Sequence, residues 1–218
     1  RDYAGVPIYS SVKAIKKILP EWGGKKLKVM IDLHCPWIGN RGGDADLQRR
    51  VFFVYSQETK EQKSNLEKLS KIFESITTET PGAIAHFARE DIPYGYSWNT
   101  LKTRSSFKSW GLTLDGVEIC TTLEISYSDV GGSQITDCSA RNIGRNFARA
   151  LKEYLEKTAL DSITNFIKSE LELETAAGSL AALDVFASYS NYPEKVYRTL
   201  YPHCKEADSN EYILQLLK

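Results

Sequence analysis

The sequence predicts an α/β fold: a mixed, mostly parallel sheet flanked by helices, with a helical carboxyl-terminal extension. Three observations predict it. The run Val29-Met30-Ile31-Asp32-Leu33-His34 is almost continuously apolar, the pattern of a strand covered on both faces. Before it, Ile8, Val12, Ile15, Ile18 and Leu19 recur at helical spacing, so a helix leads into that strand through a short turn. Beyond Ala159 the apolar spacing is helical to the last residue. The expected division is therefore an α/β domain over 1–158 and a helical extension packed on it over 159–218.

Composition narrows the function classes. The 218 residues are 42% hydrophobic and 26% charged, enough for a sizeable core. Lys plus Arg number 28 and Asp plus Glu number 28, so the net charge is +0 and nothing points to nucleic acid or an anionic membrane surface. No apolar run approaches the length of a membrane span. Cys35, Cys120, Cys138 and Cys204 are too few and too scattered for a disulfide framework or a cysteine-type zinc site, and leave room for one bridge. The oligomeric state is not legible. A secreted or periplasmic setting is preferred to a cytoplasmic one, although the cysteines do not decide it.

Taken in order, the first helix carries Lys13, Lys16 and Lys17 opposite its apolar stripe and is expected to stop at Pro20 and Gly23-Gly24. Pro36 ends the following strand because it has no N–H to donate, which leaves His34 at the carboxyl end of a central strand, where open α/β sheets place ligand sites. Ile38 to Arg50, with Gly39-Asn40 and Gly42-Gly43, reads as a charged loop. Val51 to Tyr55 reads as a short buried strand, and Glu58 to Thr77 as a surface helix with Leu66, Leu69, Ile72, Phe73 and Ile76 inward. His86, in Ala85-His86-Phe87-Ala88, reads as a satisfied, partly buried histidine. Pro81 to Trp110 reads as irregular; its aromatic residues, Tyr94, Tyr96, Trp98, Phe107 and Trp110, either wall a pocket or pin the loop to the core.

Val117 to Tyr127 is the second informative strand. Leu123 and Ile125 point one way, and Thr122, Glu124 and Ser126 the other. A carboxylate between apolar neighbours needs a partner or loses solvation, which suggests a base with a raised pKa or a metal neighbour; an edge-strand glutamate facing water is the plainer reading. Gly131-Gly132 turns the chain. Ile143, Phe147, Ala150, Leu151, Tyr154 and Leu155 then mark a long amphipathic helix, and Leu160 to Leu171 a separate one.

Ile31-Asp32-Leu33-His34-Cys35-Pro36, followed by Thr122-Leu123-Glu124-Ile125-Ser126-Tyr127 and then by the helix around Asn142-Ile143-Gly144-Arg145, resembles the carboxyl-terminal half of the zinc carboxypeptidase family. The resemblance runs from about residue 1 to residue 157. It implies a carboxypeptidase-like sheet, a bound Zn2+ with His34 as one ligand, and Glu124 as catalytic general base. Arg1 takes the place of an arginine that holds the substrate's terminal carboxylate, and Tyr96, beside Tyr94, lies where the family carries a substrate-binding tyrosine. Arg41 or Arg104 could share the carboxylate, and Trp98 and Trp110 would line the specificity pocket. Cys35 is expected to be a small buried residue.

The same resemblance implies that two further zinc ligands, from a His-x-x-Glu motif, precede Arg1; the letters His203-Cys204-Lys205-Glu206 lie in the helical tail and are read as chance. The expected function is zinc-dependent hydrolysis of a carboxyl-terminal peptide bond, with a peptide or amino-acyl substrate that has a free carboxylate. A carboxypeptidase-like binding module without activity, and a zinc amidohydrolase acting on cell-wall peptides or acyl-amino acids, are the alternatives.

Overall fold

The computed structural model describes residues 3, 5–23, 26–36, 47–56, 59–96, 99 and 106–171. It divides into two compact units, Arg1–Lys152 and Glu153–Lys218. The first is a mixed α/β body with a small sheet. The second is described only along a helix, as far as Leu171. The divide falls inside that helix, as does the boundary expected at 158. Among the described residues no helix is long and apolar enough to cross a membrane.

Helix α1 spans Ser10–Gly23; it ends at Gly23, as expected, but runs through Pro20. Proline removes only its own N–H bond and crowds the preceding turn, so the last turn persists through the N–H groups that follow it. Strand β1 is Val29–His34, β2 is Val51–Val54 and β3 is Ile119–Ile125. They pair in the order β1-β3-β2, with β1 parallel and β2 antiparallel to β3. The sheet is therefore mixed, and its middle strand is β3.

β1 was expected to be central and covered on both faces. Instead, among its six residues only Met30 is buried, and Leu33 is 63% exposed. Its only strand neighbour among the described residues is β3, and no described strand pairs with its other edge. Cys35, just beyond it, is exposed and not the buried residue expected.

Helix α2, Lys60–Glu79, opens on a capping box: the Thr59 hydroxyl accepts from Gln62 N, and the Gln62 side chain accepts from Thr59 N. Helix α3, Phe107–Gly111, stands where irregular chain was expected. Ser106 caps it by accepting from Ser109 N, a signal hidden by the surrounding aromatic residues. Gly131 and Gly132, both at positive φ, form the two-residue turn between β4 (Asp129–Val130) and β5 (Ser133–Gln134). Helix α4 is one continuous helix, Asp137–Leu171, where two were expected. The segment Thr158-Ala159-Leu160-Asp161-Ser162 holds neither Gly nor Pro, and the Thr158 and Ser162 hydroxyls bond back to Tyr154 O and Thr158 O within the helix.

Strand parity assigns the two faces of the sheet. Phe53 and Leu123 point to one side, where the Phe53 ring meets Phe73 of α2 and Phe147 of α4 at 6.1 and 6.0 Å. Each of these buried rings is worth about 1.5–3 kcal/mol of removal from water. Met30 and Cys120 point to the other side and pack with Leu19 of α1 and with Phe107 and Trp110 of α3. Gly111 lets α3 approach β3 closely, since a Cβ there would run into Cys120 Sγ. Phe52 and Val54 share this second face and cluster with Leu47 and Ile92.

Candidate functional site

The site grows from the register of the parallel pair. Val29 stands opposite Ile119, Asp32 opposite Thr122, and His34 opposite Glu124. Residues of even number in both strands share the face that carries α1 and α3. Asp32, His34, Thr122 and Glu124 therefore lie on one face, at the carboxyl end of β1. On β1 the i, i+2 spacing brings the His34 ring to the neighbouring acid: Nδ1 is 3.2 Å from Asp32 Oδ2. A carboxylate on one ring nitrogen fixes the imidazole's orientation and leaves Nε2 to act on a ligand.

Glu124 is held differently. It sits in the middle strand, not at an edge, and is only 8% exposed. Its Oε2 is buried and has no hydrogen-bond partner. Burial raises its pKa; His34 and Lys108 pull it back down and Asp32 pushes it further up. A carboxyl so placed takes up a proton more readily than an exposed glutamate, as a general base requires.

Lys108, on α3, is the cation behind Glu124, and no sequence pattern singles it out. It is buried, and its Nζ donates to Tyr55 O at 2.9 Å, to Val54 O at 3.4 Å and to Asn99 Oδ1 at 3.0 Å. Asn99, itself fully buried, donates from Nδ2 to Tyr55 O and Pro93 O. These acceptors take the place of water around the buried side-chain nitrogen. Tyr3 closes the other flank. Its ring packs on Phe107 and Trp110 at 5.6 and 5.3 Å, and burial, then Asp32, then Cys120 raise its pKa, so it remains a neutral phenol.

The expected site residues fare unequally. His34 and Glu124 come together across one strand pair. Tyr96 is exposed in a turn, where its N–H donates to Pro93 O and its carbonyl accepts from Asn99 N. Tyr94 is half-buried, and its hydroxyl is buried without a hydrogen-bond partner. Trp110 contacts Tyr3 and Phe107. Arg1, Arg41, Trp98, Arg104 and His203 lie outside the described residues. His86 is satisfied, as expected, but fully rather than partly buried.

Among the described residues no three His, Cys, Asp or Glu side chains converge as a metal-binding group. His34, with Nδ1 beside Asp32, suits one position of a zinc site. No protein-family model, curated protein or solved structure matches the chain.

Proposed function

We propose that the chain forms the carboxyl-terminal part of a zinc-dependent metallocarboxypeptidase, in a carboxypeptidase-like sheet, with His34 as a zinc ligand and Glu124 as general base. The observation that carries this reading is the register of His34 against Glu124 on one face of a parallel strand pair. It sets a candidate ligand beside a desolvated carboxyl, the two groups that metal-assisted hydrolysis needs close together.

When bound, zinc would acidify a water molecule and polarise the scissile carbonyl. The chain's own residues supply the rest. Asp32 holds the His34 ring. Glu124 takes the water's proton and returns it to the leaving amine, and its raised pKa suits both transfers. His34 and, less strongly, Lys108 oppose the burial effect on Glu124. Arg1 would hold the substrate's carboxylate, as a bidentate guanidinium does well, and Tyr96 would contact the substrate; both roles rest on the family resemblance.

The test compares blocked peptides with free and amidated carboxyl termini, with and without a chelator. Chelator-sensitive release of the last residue from the free form alone supports a carboxypeptidase. Equal cleavage of both forms points to a different amide substrate. Zinc binding or peptide binding without cleavage points to a binding module.

A further inference from the structure

On the sheet face opposite His34 and Glu124, the core encloses a second set of titratable groups that the proposed hydrolysis does not use. His86 is fully buried between the Phe53 and Phe73 rings, at 5.3 and 5.0 Å. Its Nδ1 is 2.9 Å from Val51 O, and its Nε2 is 3.0 Å from Ser70 Oγ. Ser70 Oγ in turn is 2.6 Å from Asp91 Oδ2, and Asp91 Oδ1 accepts from Phe53 N at 2.8 Å. The network ties two positions of β2 to α2 and to the segment after the 3-10 turn Ala88–Glu90.

Counting hydrogens shows that this network is one proton short in its ordinary ionisation state. Three links join Val51 O, His86, Ser70 and Asp91, and each needs one hydrogen. A neutral imidazole brings one and the Ser70 hydroxyl brings one. Val51 O can only accept, so Nδ1 must donate to it. With Asp91 ionised, Nε2 and the carboxylate would compete for the single Ser70 hydrogen in a dry core. One more proton completes every link. On Nε2 it would create an imidazolium and a carboxylate, both buried; on Asp91 Oδ2 it leaves no charge at all. Burial favours the uncharged arrangement.

We propose that the His86–Ser70–Asp91 network holds one structural proton, resident on Asp91 Oδ2, and that the latch joining β2, α2 and the Ala88–Asp91 segment is complete only while that proton is present. The surrounding charges agree. β2 offers only Val51, Phe52, Phe53 and Val54, and α4 presents Phe147. α2 brings Glu74 and the 3-10 turn brings Glu90, both of which disfavour a carboxylate at Asp91. Burial, the largest cause, pushes Asp91 up to about 7, against the opposing pull of its Ser70 and Phe53 bonds. Burial also pushes His86 down to about 4, against the opposing pull of its Val51 bond and of Glu74.

Asp91→Asn tests the proton directly, because its amide can accept from Phe53 N and donate to Ser70 Oγ without titrating. A folded-state pKa raised from 3.8 to about 7 gives wild-type stability that is full below the unfolded value and lost as pH rises through the folded one. A folded-state pKa lowered from 6.5 to about 4 gives His86 the reverse dependence, lost as pH falls. The two offset in the wild type between these limits, and the variant keeps only the second. The melting temperature of Asp91→Asn minus that of wild type should therefore rise from pH 4.5 to pH 7, by on the order of 5 °C, and then level off. Nitrogen NMR of the wild type should show His86 neutral, with its hydrogen on Nδ1, from pH 5 to pH 7. An imidazolium in that range, or a melting difference that stays flat or falls with pH, overturns the proposal. The NMR result decides should the variant not fold.

Discussion

His34 and Glu124 stand opposite each other on the parallel strands β1 and β3, on the face where His34 Nδ1 meets Asp32. One side chain is largely exposed and oriented by a neighbouring carboxylate; the other is buried with an unpartnered oxygen. This asymmetry suits a division of labour between a ligand and a base, and each half can be probed separately.

Asp32→Asn should weaken zinc binding by about 10–100-fold, as removing a carboxylate behind a ligating histidine commonly does. Competitive titration with a chromophoric chelator measures this. His34→Ala should weaken binding further, with little change in melting temperature, because the ring is mostly exposed.

Glu124→Gln should lower kcat by about 10²–10⁴-fold while KM stays near its wild-type value. Its stability should move the other way. A carboxyl with a raised folded-state pKa contributes stability below its unfolded pKa, and that contribution is lost as pH rises through the folded value. The neutral amide has no such loss, so at pH 8 the variant should melt at or above the wild-type temperature. A drop of several degrees would mean that the carboxylate is a structural partner.

Lys108→Met should act on both activity and stability. Removing the cation that lowers the Glu124 pKa moves the acid limb of the kcat/KM profile to higher pH. Leaving the buried Asn99 Oδ1 without its Lys108 donor should also cost about 1–3 kcal/mol, read from a denaturant midpoint.

Gly111→Ala should destabilise the protein by about 1–3 kcal/mol, because the added Cβ meets Cys120 Sγ at the α3–β3 contact. Cys120→Ala in the same chain should recover part of that loss in thermal melts. The double variant thereby separates overpacking from helix propensity, which alone would favour alanine.

Particular residues explain what the sequence could show. β2 and α2 were legible because periodicity and apolar flanks report burial directly, and Glu124 only as one of two readings, a desolvated carboxyl or an edge residue facing water. The place of β1 was not. Continuous apolar character implies cover on both faces, yet Leu33 is exposed, because pattern reports what a strand prefers and not how many neighbours it has. Lys108 was invisible for a different reason: a lone lysine beside aromatic residues reads as a solvated charge until Tyr55 O and Asn99 Oδ1 are seen around it. The continuity of α4 was missed because an apolar stripe that shifts phase near Ala159 resembles a break, although no glycine or proline is there to make one.

Zinc-dependent release of the last residue from a blocked peptide, with wild type and Glu124→Gln assayed side by side in the native full-length protein, tests the His34–Glu124 pair most directly. Release by the wild type, lost with a chelator and reduced at least 100-fold in Glu124→Gln, is the expected result. Full activity in Glu124→Gln, or release that is indifferent to zinc, would contradict it.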